Sequence, residues 1–318
     1  VFEIGMNSRG EILPLTRMIR PHLAIITAVT TAHLESFCSV DEIAKEKASI
    51  LEGLEENGLG IVNCDFESLD KALSLYSSVK LITFGKFVEA DWRLSNIKFS
   101  NTNMICSLTS NIYDFDFKIN TLGEHHAINA TATLCAVHAI GADLSGAILG
   151  LENWKPFKGR GERSLINWKL DRDQSDLELI DESYNASPAS VEASLYTLAI
   201  SKPPAIHGRR VAILGDMLEL GQTEKSLHEE IVKHPSLKDI NVVHCVGELM
   251  NSLFQNLPPG KRGLLTLTAA DFLTNLTGVL KPGDVVMVKG SLSMKMNLIV
   301  DAIKELGQVV ELIDEESI

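Results

Sequence analysis

The stretch LELIDESYNASPASVEASLYTLAI, residues 177–200, decides the fold of the second half of the chain. Its first four residues, Leu177–Ile180, are mostly apolar and predict a buried strand. A short polar connection follows, and Pro188 then occupies the position that proline favours at the start of a helix, here predicted to end at Ile200. A strand, a short connection and a helix form the unit from which parallel α/β sheets are built.

The same order recurs downstream. Further strands are predicted at Arg210–Leu214, Asn241–Val246 and Asp284–Val288, and helices follow near 223–232 and 293–306. The alternation predicts a Rossmann-like α/β domain with right-handed crossovers. Ligands of such domains bind where the parallel strands end, which here means residues 181–187, 215–221, 247 and 289–291.

The first half predicts a second parallel α/β sheet. Continuous apolar runs at His22–Val29 and Gly60–Asn63 indicate strands buried on both faces. Residues 80–122 alternate in short β-rich pieces, which predicts an antiparallel excursion at the edge of this sheet. The run Val1–Ile4 also resembles a strand, and Glu3 inside it would need a partner or a metal ion, because a desolvated carboxylate is costly. The short Gly-rich segment Pro156–Arg163 is the expected hinge, giving domains 1–157 and 158–318.

Composition narrows the function. The 318 residues carry 29 Lys and Arg against 42 Asp and Glu, so the net charge of −13 argues against bulk nucleic-acid binding. No apolar run reaches the ~18 residues that a membrane span requires. The five cysteines form no C-x-x-C pair, which favours reduced thiols over a zinc site.

Common nucleotide and hydrolase motifs are absent from these residues. The sequence contains no G-x-x-x-x-G-K-[ST] phosphate loop, no G-x-G-x-x-G and no G-x-S-x-G. Nicotinamide dehydrogenases and α/β-hydrolases are therefore disfavoured.

Several short segments, taken in order, resemble the Mur ligases, a family of ATP-dependent amide ligases of peptidoglycan precursor synthesis. These segments are 2–7, 10–12, 32–37, 44–47, 123–129, 159–160, 181–188, 215–221 and 289–291, so the resemblance covers nearly the whole chain. It implies an incomplete central parallel-sheet ATPase domain followed by a Rossmann-like ligase domain. Family members carry an N-terminal domain and a phosphate loop upstream of the segment that matches Val1, so we expect a fragment that is inactive alone.

The resemblance also implies a reaction. ATP would phosphorylate a UDP-linked peptide carboxylate, and an amine would then attack the acyl phosphate. Segments 181–188 and 215–221 favour UDP-N-acetylmuramoyl-tripeptide and D-alanyl-D-alanine as the two substrates, in a bacterial cytoplasm. The alternatives are the sister ligase that adds the third peptide residue, a folylpolyglutamate synthetase-like ligase, and a non-catalytic binding fragment.

By the same resemblance, two Mg²⁺ ions are expected, with Glu3, His33 and a carbamylated Lys47 as ligands. Lys45 remains the alternative carbamate site. Lys47, His33 and Arg160 are the expected catalytic residues, Arg160 through the γ-phosphate of ATP.

The resemblance assigns the remaining site residues to ATP and to the peptide substrates. The expected ATP contacts are Asn129, Arg160, Glu182 and Tyr184, and the expected substrate contacts are Asn185, Ser187, Lys289 and Ser291. Three positions depart from the family pattern. His126 replaces an Asn, Glu182 replaces an Asp and Leu292 replaces an Arg.

Overall fold

The computed structural model describes residues 1–31, 35–170 and 173–310. Two compact units divide the chain, Val1–Trp154 and Lys155–Ile318. The domain boundary expected from the sequence, after residue 157, stays a proposal. Within the described ranges, no helix is both long and apolar enough to cross a membrane.

The first unit is built on one mixed sheet with the strand order β1-β2-β3-β4-β5-β6. The strands β1 to β4 are parallel, and β5 and β6 continue the sheet as antiparallel neighbours. The strands are β1 Leu23–Ile26, β2 Leu59–Asn63, β3 Lys80–Gly85, β4 Trp92–Phe99, β5 Met104–Ser110 and β6 Asp114–Ile119. The helices are α1 Ile12–Ile19, α2 Val40–Ala48, α3 Glu67–Leu73, α4 Glu124–Ala139 and α5 Leu144–Asn153.

The parallel sheet is confirmed, and the antiparallel excursion is confirmed from β4 to β6. The first piece of the 80–122 segment, β3, is instead parallel to β2 and β4, and the predicted N-terminal strand is wrong. Residues 1–6 adopt no strand, because no strand of the described chain pairs with them. Glu3 is consequently exposed, and the expectation that it is a desolvated carboxylate is also wrong.

The second unit contains a sheet with the order β11-β10-β9-β12-β8-β7-β13. The run from β11 to β8 is parallel, whereas β7 and β13 are antiparallel to their neighbours. The strands are β7 Glu162–Leu170, β8 Asp173–Glu182, β9 Arg210–Gly215, β10 Val242–Val246, β11 Arg262–Thr266, β12 Val285–Lys289 and β13 Gln308–Val310. The helices are α6 Pro188–Ile200, α7 Glu224–Glu230, α8 Met250–Asn256, α9 Ala269–Leu273, α10 Leu276–Val279 and α11 Asn297–Lys304.

The register of this sheet brings the strand ends together. Lys289, the last residue of β12, lies between Glu182 at the end of β8 and Leu214 near the end of β9. Val246 at the end of β10 pairs with Gly215. Wholly buried apolar side chains cover both faces of these central strands, so the sheet is a rigid platform for polar groups at its carboxyl edge.

Candidate active site

The carboxyl edge of the second sheet holds a buried ion pair. Lys289 is only 2% exposed, and its Nζ lies 3.3 Å from Glu182 Oε2. The same ammonium donates to the carbonyl oxygen of Asn185 over 3.1 Å. A buried charge destabilises the fold unless it is paired. Because Lys289 belongs to β12 and its two partners belong to β8 and to the connection after β8, the pairing holds these three segments together.

Arg160 and Tyr184 form an exposed pair beside this edge. The Arg160 guanidinium lies 4.2 Å from the centre of the Tyr184 ring. The backbone beneath them is fixed, because Gly159 N donates to Asp181 Oδ2 over 3.0 Å and Tyr184 N donates to Gly159 O over 3.1 Å. A guanidinium that stacks on a ring keeps its N–H edges free, and such edges suit bidentate contact with a phosphate.

The other expected substrate residues each use some of their hydrogen-bonding groups within the protein. Ser187 caps α6 together with Ser190, and the exposed Asn185 accepts from the N–H of Ala186 over 2.8 Å. Ser291 Oγ accepts from Leu218 N over 2.9 Å, so its own hydroxyl proton remains to be donated. Leu292, which follows it, is exposed.

Asp216, which follows β9, ties the loop after that strand to the start of α8. Its carboxylate accepts from Met250 N over 2.8 Å and from Leu249 N over 3.3 Å. Burial raises the pKa of the Asp216 carboxyl, and these backbone donors oppose that rise. His228 is the residue of this region that the sequence did not single out. It is fully buried and accepts from Met217 N over 2.9 Å.

Lys47 belongs to the first unit, where it lines a cavity of about 1050 Å³. Glu3 and three threonines, Thr27, Thr30 and Thr133, supply part of the polar lining. Burial lowers the pKa of the Lys47 ammonium, whereas Lys45 on the same helix is exposed. Lys47 therefore has the environment in which an amine loses its proton more readily.

A neighbouring carboxylate fixes the helix that carries Lys47. Glu46 Oε2 accepts from Gly10 N over 2.9 Å, and its Oε1 accepts from Ile12 N over 3.0 Å. The second bond satisfies a donor in the first turn of α1, where a carboxylate is also favoured by the helix dipole. Glu46 thus ties α2 to the start of α1, an attachment for which the sequence carried no signal.

The N-terminal half of α4 carries the expected adenine contact. Asn129 is exposed on this helix. His126, one turn earlier, packs against Trp154 with ring centres 5.2 Å apart. Burial, with a smaller contribution from His125, lowers the pKa of His126 to about 3, so the ring is neutral at physiological pH.

The described residues do not assemble the whole metal site. They contain no group of three or more His, Cys, Asp or Glu side chains that could hold a metal ion. His33, an expected ligand, lies outside the described residues. Of the expected ligands, Glu3 and Lys47 line the same cavity.

Comparison with known proteins matches both halves of the chain to domains of one family. Residues 1–137 match the Mur ligase middle domain, and residues 169–292 match the Mur ligase glutamate ligase domain. The chain is 30% identical over 304 residues to the UDP-N-acetylmuramoyl-tripeptide–D-alanyl-D-alanine ligase of Rickettsia prowazekii, covering 95% of this chain and 65% of the relative. The ligase of the same name from Escherichia coli is 30% identical over 310 residues, with 96% and 65% covered.

Solved structures show the same fold. A crystal structure of MurF from Acinetobacter baumannii superposes with a TM-score of 0.80 at 25% identity, covering 96% of this chain and 64% of that one. MurF from Thermotoga maritima in complex with ADP also gives 0.80, at 23% identity, with 96% and 66% covered. The chain spans about 65% of the length of the curated relatives just described. Both of its halves match domains of one family, and the chain belongs to the Mur ligases.

Proposed function

We propose that the protein is an ATP-dependent ligase that joins D-alanyl-D-alanine to UDP-N-acetylmuramoyl-tripeptide in bacterial peptidoglycan precursor synthesis. The observation that carries the proposal is the 30% identity, over 95% of this chain, to a ligase named for that reaction. The nucleotide-linked substrate and ATP are both supplied in the cytoplasm, which is the compartment that we propose.

The proposed reaction has two steps. A carboxylate oxygen of the tripeptide attacks the γ-phosphorus of ATP, ADP leaves, and an acyl phosphate results. The amine of D-alanyl-D-alanine then attacks the acyl carbon, phosphate leaves, and the ammonium of the adduct loses its proton. Catalysis of such steps consists mainly of positioning the reactants and neutralising phosphoryl charge.

For the phosphoryl group, we propose Arg160 as the protein cation. Its stacking on Tyr184 restrains the guanidinium plane and leaves its N–H edges available for phosphate oxygens. Glu182 is tied to Lys289, so its proposed part is to hold the ammonium rather than to meet ATP directly. Asn129 remains the proposed contact to the adenine end of ATP.

For the acceptor dipeptide, we propose the group formed by Asn185, Ser187, Lys289 and Ser291. Lys289 donates two of its three protons to Glu182 and Asn185, which leaves one for a substrate carboxylate. Ser291 supplies a hydroxyl proton on the same edge, because its oxygen already accepts from Leu218.

For the metal, we propose Glu3, His33 and Lys47 as ligands, with Lys47 carbamylated. An ammonium cannot bind a cation, but its neutral amine can attack CO₂ and release a proton to give a carbamate with two anionic oxygens. The lowered pKa of Lys47 supports this residue over the exposed Lys45. Bound Mg²⁺ would neutralise charge on the transferred phosphoryl group.

The test offers the complete gene product three pairs of substrates together with ATP. The pairs are the UDP-linked tripeptide with D-alanyl-D-alanine, the UDP-linked dipeptide with a diamino acid, and a folate with L-glutamate. We expect ATP-dependent product from the first pair alone, detected by mass spectrometry. Product from either other pair would instead assign a sister ligase or a folylpolyglutamate synthetase-like ligase.

A further inference from the structure

The loop that follows β9, residues 216–221, is held in place by groups outside itself. Two of its residues have left-handed backbones, Glu219 with φ 63° and Gly221 with φ 60°. Left-handed residues interrupt regular helix and ladder hydrogen bonding. Asp216 N still donates to Val246 O of β10 over 3.2 Å, but the N–H groups of Met217 and Leu218 bond to side chains supplied by other elements.

Besides the bonds of Asp216 to β10 and to the start of α8, three attachments hold the first half of the 216–221 loop to His228 and Ser291. His228 accepts from Met217 N over 2.9 Å, and Ser291 Oγ accepts from Leu218 N over 2.9 Å. In return, Ser291 N donates to Asp216 O over 3.1 Å. The loop and Ser291 consequently fix one another, and His228 fixes the residue between those two contacts.

The contacts of His228 determine which ring nitrogen carries its proton. Nδ1 lies 2.6 Å from the carbonyl oxygen of Glu224, which can only accept, so Nδ1 is the donor. Nε2 is then the unprotonated acceptor that Met217 N–H requires. Burial lowers the pKa of His228 below its usual 6.5, although the hydrogen bond to the Glu224 carbonyl and the nearby Asp216 and Glu224 carboxylates act in the opposite direction. A ring with a lowered pKa is neutral at pH 7.

We propose that His228 is a positioning residue for acceptor binding, acting through the 216–221 loop on Ser291. Because the Leu218 N–H occupies one lone pair of Ser291 Oγ, the loop directs the remaining hydroxyl proton toward the carboxyl edge. A displacement of Met217 moves Leu218 away from Ser291 Oγ, and the Ser291 hydroxyl then no longer has a fixed direction. The inference rests on the proposed function, since it assigns Ser291 to the acceptor.

The test compares three variants of the complete gene product. His228→Leu removes the acceptor for Met217, and His228→Gln offers an amide oxygen near the position of Nε2. His207→Leu, at an exposed histidine of the same unit, is the control. Hydrogen exchange of peptides covering 216–221 and steady-state kinetics with both substrates are measured on each variant.

We expect His228→Leu to lose exchange protection at 216–221 and to raise the KM for D-alanyl-D-alanine by about tenfold, the equivalent of one hydrogen bond. The KM for ATP should stay unchanged, and His228→Gln should restore both readouts. Unchanged exchange in His228→Leu would overturn the attachment itself. Lost protection with an unchanged KM for the dipeptide, or equal rises in both KM values, would overturn the positioning role. If the wild-type protein shows exchange protection at 216–221 but does not ligate D-alanyl-D-alanine, the proposed function is overturned, and the role of His228 with it.

Discussion

The buried pair Lys289–Glu182 leads to a prediction in which one substitution lowers both stability and activity, and a second restores stability alone. Replacing Lys289 by Met removes the ammonium but keeps most of the side-chain volume. The Glu182 carboxylate, whose side chain is 12% exposed, then loses its cation, and the Asn185 carbonyl loses a donor. Breaking a buried pair from one side costs about 3–5 kcal/mol. The residual exposure of Glu182 favours the lower end, so we expect a loss of about 3 kcal/mol.

Adding Glu182→Gln to Lys289→Met removes the stranded charge. We expect the double variant to recover about 2 kcal/mol of the free energy of unfolding, because the amide is cheaper to bury than a carboxylate. Both variants should still lose ligation, since neither carries the Lys289 proton proposed for the substrate.

The assay is urea unfolding monitored by tryptophan fluorescence. Trp168, a buried residue of the second unit, reports the unfolding of that unit. Lys304→Met is the matched control, because it breaks a pair of 2.7 Å with Glu162 in which both side chains are partly exposed. That control should shift the free energy by less than about 1 kcal/mol. A loss below about 1 kcal/mol for Lys289→Met, or no recovery in the double variant, would refute the reasoning.

Two further predictions concern Lys47 and His244. Lys47→Ala should abolish most ligation with partial rescue by short carboxylates, whereas Lys45→Ala should keep activity; normal turnover by Lys47→Ala would remove the carbamate from that residue. Burial lowers the pKa of His244 to about 4 from its usual 6.5, so the stability present above pH 6.5 is lost as the pH falls toward 4. At pH 5 that loss is about 2 kcal/mol. His244→Asn keeps an acceptor for Leu264 N–H, so this variant should not lose stability between pH 6.5 and pH 5. If the wild type and His244→Asn lose equal free energy of unfolding at pH 5, measured by urea unfolding, His244 is excluded as the cause.

Strand ends were the part of the site that the sequence predicted well. Apolar runs located β8, β9, β10 and β12, and the rule that ligands meet the carboxyl ends of parallel strands pointed to 181–187 and 289–291. The pairing of Lys289 with Glu182 could not be read, because it needs β12 to lie beside β8 across 107 residues of sequence. Adjacency of that kind is a property of sheet order, which local patterns do not encode.

Other misses have separate physical reasons. The strand β7 was not predicted, because its start lies inside the Gly-rich segment interpreted as a hinge. The strands β11 and β13 were also missed, since each is short and only partly buried or exposed. His228 is a single histidine in a polar helix, and only the folded chain brings it to Met217.

The transfer of oxygen during ligation tests the central claim most directly. The complete gene product is given ATP, D-alanyl-D-alanine and a UDP-N-acetylmuramoyl-tripeptide whose reacting carboxylate carries two ¹⁸O atoms. The proposed acyl phosphate predicts that each released phosphate contains one ¹⁸O and that the new amide carbonyl retains the other. Unlabelled phosphate, or no D-alanyl-D-alanine in the product, would contradict the proposed reaction.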